Sequence, residues 1–163
     1  MTTPPPQRTL RQTFEPVITP MFRAWWRFNR ALTLGVRGFA QDPEGRIVLV
    51  RHTYRSGWWL PGGGVERAET TAEALQREMQ EEAGVYSQHP PILFAIYSNH
   101  NRFKNDHVLL YQLKDWHWGP TSNDGEIADV EAFAPAALPE DITAGTRARI
   151  AEILENAPVS DHW

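Results

Sequence analysis

The sequence contains no cysteine, which excludes disulfides, zinc-thiolate sites and thiol catalysis outright. That absence is compatible with a cytosolic home, and the chain is expected to be cytoplasmic. Long apolar runs are missing too, and no apolar signal region follows a basic start, so neither a transmembrane helix nor a secretory signal is visible. There is no excess of positive charge. A formal net charge of −4 argues against a general nucleic-acid binder, which needs a basic surface to displace phosphate counterions. His52, His100 and His107 are scattered and show no metal-binding spacing. Neither an internal repeat nor an interdomain linker is found, and 163 residues with 41% hydrophobic content suit one compact domain with a sizeable core.

Proline is plentiful only where structure is least expected. Pro4, Pro5, Pro6, Pro16 and Pro20 make residues 1–20 an extended arm, leaving 21–163 as a single domain. From Met21 to Arg30 the chain is aromatic and basic, with Arg23, Arg27 and Arg30 at helical spacing. A short helix packed on the domain is the reading preferred over a dimer contact, a lid or a membrane-surface anchor, since short anchors need a second signal.

Further along, residues 31–41 alternate as a strand, Asp42-Pro43-Glu44-Gly45 reads as a turn, and Arg46 to His52 returns as a second strand, so the pair is expected to form a hairpin. Ile92 to Ser98, Asp106 to Trp116 and Glu126 to Phe133 are further predicted strands, with Tyr86 to Pro91 a turn. Thr143 to Asn156 has helical spacing and ends before Pro158. The result is an α/β fold with a mixed, mostly antiparallel sheet and helices on its faces.

The most informative stretch is Gly63 to Val85. Thr70 and Glu73 have capping-box spacing, which places a helix over Thr71–Ala83 ended by Gly84 in the left-handed conformation. Ala72, Leu75, Met79 and Ala83 form its apolar stripe. Glu78, Glu81 and Glu82 fall within an arc of roughly 100° beside that stripe. Crowded carboxylates repel, and more strongly as water is excluded. Arg77 offsets one charge; a hard divalent cation with oxygen ligands offsets the rest, whereas a merely solvated acidic face would need neither.

These residues carry a resemblance. Gly63, Glu69, Arg77, Glu78, Met79, Glu81, Glu82, Gly84 and Val85 occupy every specified position of the Nudix box, and Trp59-Leu60-Pro61-Gly62 before it and Glu126-Ile127 after it are similar to family features. The resemblance implies a Nudix-like α/β/α sandwich that hydrolyses a diphosphate bond in a nucleoside diphosphate linked to another group. It implies Mg²⁺, replaceable by Mn²⁺, held by Glu78, Glu81 and Glu82, with Glu82 or Glu78 as general base. Arg77 would orient a carboxylate by a bidentate salt bridge. Glu69 would be an accessory ligand through water or a partner to Arg77. Glu126 is the candidate ligand outside the box, ahead of Asp124 and Asp106.

Substrate contacts are expected from Gly63 and Gly64, from Arg51 and Arg55 just before the box, and from one of Trp58 and Trp59, the other being core. The expected partner is a small nucleoside diphosphate derivative, with a nucleoside triphosphate or nucleotide sugar favoured. No membrane attachment is expected, and a homodimer is left open. The alternative is a non-catalytic nucleotide-binding member, which would not need the full glutamate set.

Overall fold

The computed structural model describes residues 32–122 and 125–163. The proline-rich arm, the Met21–Arg30 segment and Asp124 lie outside the described residues.

Eight strands and two α-helices follow in the order β1 (Thr33–Ala40), β2 (Ile47–His52), β3 (Trp58–Trp59), α1 (Thr71–Ala83), β4 (Val85–Ser87), β5 (Ile92–Ser98), β6 (Asp106–Leu113), β7 (Trp116–Trp118), β8 (Ile127–Phe133) and α2 (Ala144–Leu154), with a short 3-10 turn at Pro135–Ala137. Among the described residues no helix is long and apolar enough to cross a membrane. One sheet has the order β1-β6-β5, a second β3-β2-β8, and a small third pairs β4 with β7. Among the paired strands of the described residues, β1 and β6 run parallel and the other pairs are antiparallel.

Strand alternation distributes the core to two faces. Val36, Val48, Val50, Leu109 and Tyr111 pack with Ala74, Leu75, Met79 and Ala83 of α1. Their neighbours Phe39, Ile47, Leu49 and Leu110 pack instead with Ile150 of α2. Strands buried on both faces read as continuous apolar runs, which is why Ile47–Val50 is apolar throughout. The outcome is an α/β/α sandwich, with α1 on one face and α2 on the other.

Local chemistry shaped α1 as expected. The Thr70 hydroxyl accepts from the Glu73 N–H, and the Glu73 carboxylate accepts from the Thr70 N–H at 2.8 Å. Gly84 closes the helix at φ 62°. The buried stripe uses Ala74 rather than Ala72.

The expected β1–β2 hairpin does not form. Asp42–Gly45 turns the chain as predicted, but β1 and β2 then meet only at the Gln41–Ile47 bridge. The free edge of β1 is taken by the glycine-rich segment: Val36 N–H donates to Gly63 O at 2.8 Å, Gly38 N–H to Pro61 O at 2.9 Å, and Val65 N–H to Leu34 O at 2.9 Å. With β6 on its other side, β1 has no edge left for β2. The predicted strand Asp106–Trp116 is likewise cut short. It stops at Leu113, Asp115 adopts φ 50°, and Trp116–Trp118 pairs with Val85–Ser87, residues partly assigned to a turn from sequence.

Candidate active site

The site begins with the segment pinned to β1. Gly62 sits at φ 136°, and a Cβ there would lie 2.1 Å from Val36 O, so only glycine lets the chain pass this close to β1. Its N–H donates to Glu82 Oε2 at 2.8 Å, fixing one carboxylate of α1. At Gly63 a Cβ would stand 2.5 Å from Glu78 Oε1. The bare backbone therefore faces the carboxylates of α1 directly.

Arg77 is the hub of that face. Its Nε and Nη2 form a two-pronged bond to Glu69 at 2.9 and 3.2 Å, while Nη1 donates to Glu78 Oε1 at 2.8 Å and Glu81 Oε2 at 3.2 Å. The bidentate partner is thus Glu69, whose carboxyl Arg77 holds below its usual range. Arg77 itself is held protonated chiefly by that same bond.

Burial works against the other charges. It pushes the Glu82 carboxyl up to about 7, opposed by the Gly62 N–H and by Arg37. Glu78 is also raised by burial, opposed by Arg77. Glu81 is half-buried. Together with Arg77, Glu126 and Ser122, the three glutamates line a cavity of about 300 Å³, so the residue entering β8 is brought to the same space as α1. Asp106 is not; it accepts from Thr33 Oγ1 at 2.7 Å and Asn99 Nδ2 at 2.6 Å.

Two further neighbours of the glutamates stand out: Arg37, which the sequence does not single out, and His52, which the sequence groups with Arg51 and Arg55 as a candidate phosphate contact. Arg37 projects from β1, donates to Leu60 O at 2.9 Å and to Gly62 O, and sets its charge against Glu82 and Glu78. His52, at the end of β2, is buried with Nδ1 3.8 Å from Glu82 Oε1. Burial, with help from Arg55 and Arg37, pushes its pKa down to about 4, so at neutral pH it is uncharged and forms no ion pair with Glu82. The sequence signal for Arg37 was a polar side chain within an apolar strand.

A groove of about 510 Å³ adjoins these carboxylates through Gly63 and Gly64 and is lined also by Arg37, Arg55, Trp59 and Arg102. Arg55 and Arg102 lie over the Trp59 ring at 5.1 and 5.4 Å from its centroid. Gly63, Gly64, Arg55 and Trp59 are thereby brought together, whereas Trp58 and Arg51 lie elsewhere. Trp58 is buried edge-on against Phe133 at 4.8 Å. Arg51 covers the Trp58 ring and pairs with Asp141 at 3.1 Å.

The donor set fits a hard divalent cation: carboxylate oxygens, two of them on Glu78 and Glu82, whose burial raises their pKa. Among the described residues no three carboxylate or imidazole groups converge as a ready-made cage. Glu78 and Glu81 are turned to Arg77 and Glu82 to Gly62.

Comparison with known proteins agrees with this geometry. The NUDIX domain family model matches residues 31–154. An RNA pyrophosphohydrolase of Stenotrophomonas maltophilia strain K279a is 40% identical over 52 residues, 32% of this chain and 25% of that protein. The match therefore takes in about a quarter of the relative's length. Among solved structures, a MutT NUDIX hydrolase from Burkholderia pseudomallei aligns with TM-score 0.64 at 21% identity, covering 76% of this chain and 98% of that one. An ADP-ribose pyrophosphatase from Streptococcus suis aligns with TM-score 0.54 at 25% identity, covering 82% and 96%.

Proposed function

The chain belongs to the NUDIX domain family, and from that premise we propose that it hydrolyses a diphosphate bond in a small nucleoside diphosphate derivative, with Mg²⁺, or Mn²⁺ in its place, as the working cation. The observation that carries the reading is the meeting of Glu78, Glu81, Glu82 and Glu126 on one cavity, beside the bare backbone at Gly63 and Gly64 and next to an arginine-lined groove.

Attack on a diphosphate brings water to an already anionic phosphorus, so charge must be neutralised and a proton removed. Glu78, Glu81 and Glu82, with Glu126 from outside α1, would hold the cation, which would supply Lewis acidity and acidify water. Arg37 and Arg55 attract the phosphates; guanidinium groups suit phosphate oxygens because they can donate in pairs. Glu82 takes the proton from the attacking water. One of its oxygens is held by the Gly62 N–H, which fixes the carboxylate's direction. Arg77 positions Glu78 and Glu81 and offsets their mutual repulsion by donating to both from one nitrogen, while Glu69 keeps Arg77 in place.

The favoured substrates are nucleoside triphosphates and nucleotide sugars. The names of the RNA pyrophosphohydrolase and the ADP-ribose pyrophosphatase extend the range to RNA and ADP-ribose, of which RNA fits poorly with a net charge of −4. A panel of these compounds, assayed with Mg²⁺ for phosphate or nucleoside monophosphate release, tests the reading. Turnover should stop with a chelator and return with Mg²⁺ or Mn²⁺. Retained turnover in excess chelator would overturn the mechanism, and saturable binding with no turnover on any compound would make the chain a binding protein.

A further inference from the structure

The segment after α2 is built into the protein by a buried polar knot. Glu152 accepts from Arg149 Nη2 at 2.7 Å, from Ser160 N–H at 3.0 Å and from the Tyr97 hydroxyl at 2.7 Å. Arg149 also donates to His162 O at 2.7 Å. Burying an ion pair is expensive unless its remaining hydrogen bonds are satisfied, and here both carboxylate oxygens are used. The segment then pairs with the end of β5: Ser98 N–H donates to Asp161 O at 2.8 Å, and Trp163 N–H donates to Ser98 O at 3.0 Å. So much fixed bonding around five residues places one side chain, that of Trp163.

The indole is held from behind. It meets Tyr97 edge-on at 5.5 Å and 81°, and the Arg149 guanidinium lies 5.6 Å from its centroid. A Cβ on Gly145 would come within 2.7 Å of the indole Nε1, so α2 must be bare there to admit the ring. In front, Trp163 lines the 510 Å³ groove with Trp59, Asn99 and Arg102, and Asn99 is fixed by its bond to Asp106 at 2.6 Å. Gly63 and Gly64 line the same groove, beside the glutamates.

The geometry points to Trp163 as a specificity-determining residue: its indole, with Arg102 and Asn99, forms a wall that recognises a planar heteroaromatic ring, the base of a nucleoside phosphate whose phosphates lie toward Gly63 and Gly64. Any base can stack on an aromatic face or a guanidinium plane, and a fixed amide adds an orientation-dependent hydrogen bond. This deepens the diphosphate reading and rests on it in taking the groove as the substrate's.

The test is equilibrium binding by calorimetry, without metal or turnover, of the four nucleoside 5′-monophosphates and of ribose 5-phosphate, which lacks a base. Trp163→Leu keeps apolar bulk and loses the flat face. It should weaken the best nucleoside monophosphate about tenfold and leave ribose 5-phosphate within about twofold. Trp163→Phe should stay within about threefold of the parent, its smaller face costing purines more than pyrimidines. Equal losses for nucleotide and ribose phosphate would reduce the segment to a structural prop and overturn the inference, as would unchanged nucleotide affinity or no nucleotide binding by the parent protein. If Trp163→Leu does not fold, the phenylalanine variant decides, and equal losses for purines and pyrimidines overturn the inference. A protein that binds in this pattern yet hydrolyses nothing keeps this inference and loses the hydrolase reading; one that hydrolyses without the pattern does the reverse.

Discussion

Glu73 and Glu82 stand on the same helix with opposite assignments. Glu73 faces the helix start and closes the capping box, while Glu82 is buried against Gly62. Glu82→Gln and Glu78→Gln should each cost at least ~10²-fold in turnover with the fold intact, the scale of losing a positioned base or electrostatic group. Glu73→Gln keeps a capping side chain and should change the rate little. Equal losses at positions 73 and 82 would contradict the division of roles. His52 gives a prediction of a different kind. Its folded pKa of about 4 lies below the ordinary 6.5, so the unfolded chain takes up a proton that the folded chain refuses. Stability from this group is complete above pH 6.5 and is lost as pH falls toward 4, by as much as about 3 kcal/mol. His52→Gln should flatten that acid limb in denaturant titrations, and parallel pH profiles for parent and variant would show that the burial of His52 carries no such penalty.

At the scale of elements, Gly84 joins α1 to the small β4–β7 sheet. It terminates the helix at φ 62°, its carbonyl accepts from Gly119 N–H at 2.8 Å, and a Cβ would sit 2.6 Å from Gly119 O. Gly84→Ala combines a left-handed penalty of roughly 1 kcal/mol with that clash, and should lower the melting temperature by at least ~3 °C. An unchanged melting temperature would mean that the joint is slack. What sequence revealed follows the same division between local and distant bonding. Helix α1, its cap and its glutamate arc depend on residues within a few positions of one another, and were readable. The β1–β2 hairpin was misread because the competitors for β1 are residues 61–65 and 106–113, which no local pattern announces. Arg37 went unseen for that reason, and the place of His52 beside Glu82 was not readable: each reaches the glutamates only through the strand pairings that carry it there. Glu126 could be nominated because it opens a strand, but its place beside α1 came from folding.

For the molecule as a whole, a buried carboxyl raised to about 7 costs stability as pH climbs from 4.5 through 7, the reverse of the His52 slope. A divalent cation removes that cost and stabilises by mass action. Millimolar Mg²⁺ should therefore raise the melting temperature, and more at pH 8 than at pH 5.5. No shift at either pH would mean that the cation enters only with substrate.

The parallel pairing of β1 with β6 also governs when the protein can come into being. Thr33 and Asp106 are bonded at a sequence separation of 73, and α1 with all its glutamates lies inside the loop they close. Closing a loop of that size costs about 4 kcal/mol in chain entropy before any contact rewards it, and such long-range topology folds slowly. During synthesis the glutamate helix emerges well before the strand that anchors β1. A chain halted short of Asp106 would therefore carry every carboxylate of α1 but neither β6, which anchors β1, nor Glu126.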